Sequence, residues 1–483
     1  VQKTLINNLG FKRTPDFNEF KSNKNSILYS ENFLKEELFV NTKIRLLAIG
    51  IFLYFFIENG TLGLVPSKLY FVYRTMRISD FLLYGLTLYS LSRYKEYKDL
   101  FKSKPFLIAK IFIAYLLFEF AVSVIRYGLN PFEYFFRLKG VWTTFLVFPF
   151  MLLIKRGGLP FFIKIVFPVS VISNILYTLT ALTGIPFLPD VSLISQRLPG
   201  DIIVYRVFGG TFFGEMFFLG IIYYWVTKRF RLWQIFFAFL FILPHVLAFG
   251  RLAWAFFAFT IFVMIFLNSL VKRNFKLLFR QVIILIILGI SLIFIFIKFI
   301  PESDFYISAL NARIFQGQDD YRHSEGTYGT RVIMQNAILL DLWMKSDILL
   351  GVGMHPMWVI GPESKEEAIY YGAFSDVSWP SVLAAYGLIG FALACFIQLY
   401  YALLALKMIR INREITIYTL LVTLMFSKLL FDSTVGFSYV FLTTGLWGFF
   451  IYLYIYIPVL IYLYEKNRKE KNNIKIYHKT KKV

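Results

Sequence analysis

Six arginines, Arg126, Arg137, Arg197, Arg206, Arg251 and Arg331, stand apart from the clusters of basic residues that punctuate this chain. A guanidinium is a planar fork of donors that grips phosphate oxygens two at a time, so the chemistry these residues point to is anion binding. Each also has a plainer use, because an arginine at a membrane edge snorkels to lipid phosphates or pairs with a nearby carboxylate. Arg206 lies in Tyr205-Arg-Val-Phe-Gly-Gly-Thr-Phe-Phe-Gly-Glu215, where glycines let backbone amides approach a ligand. Glu215 is read as an ion-pair partner of Arg206 or Arg251 ahead of any catalytic role. Arg251 follows Gly250 at the head of an apolar run, and Arg137 joins the ligand-binding candidates. Arg331 opens a run with Ile333, Ala337, Leu340 and Met344 at helical spacing. Thr327 and Thr330 are its candidate N-caps, and a helix N-terminus beside an arginine favours anions. His355, just after Gly351-Val-Gly353, is either a surface polar residue or an acid–base group. Asp376, close to Trp379 and Pro380, is either the N-cap of the next helix or a carboxylate held near a reacting hydroxyl.

The elements that must position these residues are membrane helices. The 483-residue chain is 58% hydrophobic, with a mean hydropathy of +0.63, more apolar than soluble domains. Apolar runs of about 20 residues match the thickness of a bilayer core, and lipid leaves helices as the natural spanning element. Spans are predicted near 44–57, 78–92, 106–126, 138–154, 161–183, 209–226, 232–249, 252–271, 281–300, 380–406, 413–431 and 435–463. In the long run from Leu232 to Leu270, Pro244, His245, Gly250 and Arg251 mark a tight hairpin. The 31 tyrosines and eight tryptophans suit interfacial belts. The one cysteine, Cys395, leaves no internal disulfide, and with four scattered histidines no metal-ligand spacing arises. No cofactor and no metal are expected.

The formal charge of +22 is concentrated in short linkers and at the C-terminus. Positive-inside topology and anionic headgroups explain it better than nucleic acid does. The linkers Arg93–Lys104, Lys155-Arg156, Lys228–Arg231, Lys272–Arg280 and Lys407–Arg413, with the tail Lys466–Lys482, fall on one side if about twelve spans are present. That side is the cytoplasm, so both termini are expected inside. Residues 1–42 form a polar cytoplasmic lead-in, 43–464 the membrane domain, and 465–483 a basic tail. The long stretch 301–379 is then an extracytoplasmic loop. It holds eleven acidic residues and five lysines or arginines, a reversal of the overall sign, and its length marks it as functional.

In order along the chain stand an arginine followed by Gly-Thr-Phe, a Gly-Arg pair opening a span, and the large loop. The loop carries Arg331, Trp343, Leu349-Leu-Gly-Val-Gly353 and Asp376, and Gly387-Leu-Ile-Gly390 follows. This arrangement resembles the bacterial O-antigen polymerase and O-antigen ligase-like membrane proteins, over about residues 200–400. The resemblance implies an all-α polytopic fold of the GT-C-like type in the bacterial inner membrane. It implies a metal-independent glycosyltransferase whose donor is a polyprenyl-pyrophosphate-linked glycan. Its other partners would be membrane lipids and a chain-length regulator. By motif position Arg206 and Arg251 would hold the donor pyrophosphate, with Asp376 as the third catalytic residue. Arg137, Arg331, Glu215, His355 and Trp379 would line the substrate site. Trp379, with Trp358, Tyr370 and Tyr371, would stack on sugar rings or anchor at the interface. Ligases of this family carry a His-Asn pair where Asp376-Val377 stands here, which favours a repeat-unit polymerase. A ligase, or a lipid-linked oligosaccharide flippase, are the alternatives.

Overall fold

Helix follows apolar run almost throughout. The computed structural model describes residues 42–58, 62–66, 71–73, 76–137, 142–189, 192–198, 202–208, 212–227, 233–248, 250–272, 274–299, 303–323, 348–353, 378–412, 416–435 and 449–480, with a few isolated residues in 332–340. The first helices are α1 (Thr42–Ile57), α2 (Ile78–Ser92), α3 (Lys104–Tyr127), α4 (Pro131–Arg137), α5 (Val147–Lys155) and α6 (Leu159–Thr183). After a hairpin come α7 (Phe212–Thr227), α8 (Trp233–Leu247), α9 (Arg251–Lys272) and α10 (Phe275–Phe299). The last are α11 (Ser303–His323), α12 (Ser378–Ile411), α13 (Ile417–Val435) and α14 (Phe449–Thr480). Helix ends have local causes. Ser103 Oγ accepts from the Phe106 amide to cap α3, with proline in its first turn, and Gly128 at φ 59° closes it. α6 starts after Gly158 and stops at Gly184, φ 69°.

Among the described residues five helical stretches are long and apolar enough to cross a membrane, namely Lys104–Tyr127, Leu159–Thr183, Ala253–Lys272, Lys276–Phe299 and Tyr386–Ile411. Shorter apolar helices accompany them at Thr143–Lys155, Phe212–Thr227, Gln234–Leu247 and Ile417–Phe431. The protein is thus a membrane-embedded, mainly helical one. Two small antiparallel hairpins interrupt the helical pattern, β1 (Phe71–Tyr73) with β2 (Met76–Arg77), and β3 (Ser192–Leu198) with β4 (Ile202–Phe208). Neither is expected from the sequence, where Arg206 reads only as an anion-binding candidate just before a new span. Alternating apolar residues in Ile202-Ile-Val-Tyr-Arg-Val-Phe208, rich in β-branched side chains, favour a strand instead. The break expected between the spans 232–249 and 252–271 is present, between Leu247 and Arg251. Pro244 stays inside α8, the Ala248 amide bonds to its carbonyl at 2.9 Å, and the chain reverses before Arg251. The basic stretch from 465 continues α14 as helix to Thr480.

One core runs through the bundle, and clustered aromatic rings lie within it. Phe55, Phe150, Phe162 and Phe213, from α1, α5, α6 and α7, meet with centroids 5.4–6.3 Å apart. A smaller core gathers Tyr177 and Ala181 of α6, Val204 of β4, Leu243 and Leu247 of α8, Phe296 of α10, and Tyr306 and Ala309 of α11. It therefore ties the hairpin and α11 to the C-terminal ends of α6, α8 and α10.

The basic linkers come together at the other end. Asp99 accepts from Lys155 at 2.6 Å and from Lys469 of α14 at 2.5 Å. Arg156 clasps Glu96 through two donors, at 2.9 and 2.8 Å. Asn467 of α14 donates to Asn412 at 3.1 Å. The Val226 carbonyl of α7 accepts from Asn268 of α9 at 3.0 Å and from Gln281 of α10. Burial raises the Asp99 carboxyl, but the hydrogen bonds from Lys155 and Lys469 outweigh it and hold it at about 2. Its unfolded value is 3.8, so the folded carboxyl is the stronger acid. The stabilisation is complete above the unfolded value and is lost as pH falls from there toward 2. Asp99→Asn should cost about 1 kcal/mol, the upper end for partly exposed pairs. Thermal unfolding in detergent should show a smaller loss of stability for the variant than for wild type across that acid window.

Candidate functional site

Four polar residues of α3 lie along one face. Tyr115, Glu119, Ser123 and Arg126 follow one another at intervals of four, four and three residues, which stacks them on a helix. That face receives the segment 348–353. Arg126 Nη1 donates to the Gly351 carbonyl at 2.7 Å, and the Tyr127 hydroxyl donates to the Val352 carbonyl at 2.6 Å. Gly351 and Gly353 have φ of 71° and 75°, a region that side chains rarely enter. A Cβ on Gly353 would also stand 2.7 Å from Ser123 Oγ. Gly-Val-Gly is therefore demanded both by backbone conformation and by contact with α3.

The same segment completes a break in α12. Gly387 sits at φ 61°, ψ −169°, so the helix ends and restarts there. The restarting helix has orphan amides. Leu388 and Ile389 donate theirs to the carbonyls of Ile348 and Leu349, at 2.8 and 3.2 Å. A Cβ on Gly387 would meet the Leu349 carbonyl oxygen at a clashing 2.3 Å. The Tyr115 hydroxyl donates to the Tyr386 carbonyl at 2.9 Å, and its oxygen would be 2.5 Å from a Cβ on Gly390. Thus Leu349–Gly353 and Tyr386–Gly390, well apart in sequence, form one backbone joint on α3.

Glu119 lies within that joint. It is 1% exposed, and among the described residues neither carboxyl oxygen receives a hydrogen bond. The Tyr115 hydroxyl, which donates to the Tyr386 carbonyl, lies within reach of that carboxyl. Sequence reading passed over Glu119, yet the signal was there. It is the one acid in the apolar run of α3, and an ionisable residue inside a membrane helix points to function by default.

The residues singled out from the sequence are distributed as follows. Arg206 is in β4, opposite Ile194 of β3. Arg251 is the first residue of α9, Arg137 the last of α4, and Trp379 lies in the first turn of α12. Glu215 is half-buried in the first turn of α7, and its charge is felt by buried Tyr456 of α14. Gly214 beside it packs on Asn174 of α6, and a polar strip of Ser170, Ser173, Asn174 and Thr178 is buried there. Arg331, His355 and Asp376 lie outside the described residues. Arg126, one of the six isolated arginines, is engaged with a backbone carbonyl. The described residues contain no group of three metal-ligating side chains.

No family model matches the chain, and no curated protein matches it. The fold and the joint define a class, a polytopic helical membrane protein with a glycine-built break in one helix that a loop segment fills.

Gly387→Ala should destabilise the protein by more than about 2 kcal/mol, since its backbone region is open essentially to glycine alone. Gly289→Ala, in α10 with nothing within 4 Å of the added carbon, should be neutral or stabilising by up to about 1 kcal/mol. Thermal unfolding of the two variants in detergent checks the contrast. Equal behaviour would mean that the joint contributes nothing.

Proposed function

We propose that this protein is a repeat-unit polymerase of bacterial surface polysaccharide. In this reading twelve helices (α1–α3, α5–α10 and α12–α14) cross the inner membrane in a GT-C-like arrangement, with both termini in the cytoplasm. The donor is a glycan on a polyprenyl pyrophosphate, and the acceptor is a sugar hydroxyl of a second lipid-linked unit. The acceptor oxygen forms a bond to the donor's anomeric carbon. The bond from that carbon to the pyrophosphate breaks, and the lipid pyrophosphate leaves with the electron pair. Arg206 and Arg251 stabilise the charge growing on that leaving group, and Asp376 takes or orients the hydroxyl proton. Arg331, Arg137, Glu215, His355 and Trp379 surround the two glycans.

The observation that carries this reading is the joint itself. The two glycine motifs behind the family resemblance fold against each other on α3. Support also comes from the hairpin holding Arg206, which packs where α8 ends, just before Arg251 begins α9. Both features stand away from the end where Asp99, Lys155 and Lys469 gather.

The test is the length distribution of surface glycan in cells carrying Arg206→Ala, Arg251→Ala or Asp376→Asn at wild-type protein level. Loss of an electrostatic donor to the leaving group costs about 10²–10³-fold in rate, so glycan should collapse to single repeats. Long chains that accumulate on the carrier lipid would identify a ligase instead. Unaltered long chains in Arg251→Ala would refute the reading.

A further inference from the structure

A cation well inside a membrane helix is costly, and where it occurs it marks a ligand or ion site by default. Lys428 is such a residue. It stands eleven residues after Ile417, where α13 begins, just past the basic linker Lys407–Arg413. At 1.5 Å per residue that is about 16 Å, about half the thickness of a bilayer core. A lysine stem is too short to carry its ammonium back to the headgroups around that linker, so positive-inside topology does not account for it. The ammonium is held instead at the seam between α9 and α13. Its Nζ lies 4.5 Å from the ring centroid of Phe256 on α9, and 5.9 Å from that of Phe431 on its own helix. Both rings are buried and meet each other with centroids 5.4 Å apart. They attract the charge through their faces but bring no counter-charge. Lys428 itself is only half-buried. Asp432 follows one turn further along α13, at the spacing of a helical ion pair. Phe256 comes five residues after Arg251, so the ammonium lies about 7 Å along α9 from its first residue.

We propose that Lys428 is a phosphate-binding residue, the floor of an anion site whose rim is the start of α9. Its ligand is a lipid-linked pyrophosphate, and for that ligand the inference rests on the polymerase reading. A glycan-bearing lipid of this kind keeps its chain in the membrane and its sugars outside, so one of its two phosphates lies deeper than the other. The deeper phosphate meets Lys428, and the outer one meets Arg251. A carrier with a single phosphate engages one of the two cations at a time. An ordinary phospholipid keeps its phosphate at the membrane surface, above the level of Phe256. The site therefore selects a pyrophosphate over both.

Binding of polyprenyl pyrophosphate and polyprenyl monophosphate to the full-length protein in zwitterionic nanodiscs tests this, with phosphatidylglycerol as the phospholipid control. Wild type should bind the pyrophosphate more tightly than the other two. Lys428→Met keeps the stem and removes the charge. It should weaken pyrophosphate binding about 10–100-fold, as loss of a charged hydrogen bond does, and bring it level with the monophosphate. Lys428→Arg should keep the preference. Asp432→Asn removes a carboxylate that competes for the ammonium, so it should tighten pyrophosphate binding, and it carries the test if Lys428→Met does not fold. Undiminished binding by folded Lys428→Met, or Asp432→Asn that binds no tighter than wild type, would overturn the proposal. Lys428 would then be a structural partner of Asp432, and the polymerase reading would stand. Wild type that holds phosphatidylglycerol as tightly would overturn it in favour of a phospholipid site. Wild type that binds no pyrophosphate lipid would overturn the polymerase reading along with it.

Discussion

Two backbone hydrogen bonds, from the amides of Leu388 and Ile389 to the carbonyls of Ile348 and Leu349, govern the arrangement of the loop-bearing half of this protein. Inside a membrane domain every backbone polar group must find a partner within the protein. A helix that restarts at Leu388 opens with amides that no residue of its own can satisfy. The carbonyls that satisfy them belong to a segment forty residues earlier, so the break in α12 and the docking of 348–353 are one event. The side chains of Ile348 and Leu349 are not what makes the contact. The glycines are, because at 351, 353, 387 and 390 any added carbon would enter a forbidden conformation or a neighbour's atoms.

The two ends of the bundle are held by different physics. Where the basic linkers gather, ion pairs such as Asp99 with Lys155 and Lys469 are partly exposed, and pairs of that kind contribute little each. Apolar packing in the shared aromatic core holds the helices, and the ion pairs fix only how the linkers and α14 are arranged against them. At the opposite end the joint uses uncharged backbone bonds, with three α3 side chains added. Such a joint is insensitive to salt.

Much of this was legible in the sequence. The expected span 161–183 coincides with all but two residues of α6, and 252–271 with all but the ends of α9, while 78–92 coincides with α2 as a helix only. Long apolar runs leave the chain little choice in lipid. What was not legible depended on tertiary partners. The strand β4 is set by pairing with β3 and by Val204 packing in the smaller core. α11 is polar overall, so hydropathy hides it. Its signal was the spacing of Tyr306, Ala309 and Arg313, all buried, at three and four residues. The glycine motifs were visible as motifs, but that they meet each other on α3 was not, because nothing local pairs residue 349 with residue 388.

The isolated arginines also separate under this geometry. Arg126 was grouped with the others because it stands apart from the basic clusters. It has a structural role, since its guanidinium supplies the donor that the Gly351 carbonyl needs away from water. A guanidinium spent on a backbone carbonyl has fewer donors left for a phosphate. The case for anion binding therefore rests more heavily on Arg206 and Arg251, which begin from different backbone settings. One is in a strand of a hairpin, toward its open end, and the other is the first residue of a helix. The first turn of a helix leaves amides free and carries the positive end of its dipole. An arginine at that position adds its charge where an anion is already favoured. That addition distinguishes Arg251 from an arginine placed midway along a helix, whatever the anion proves to be.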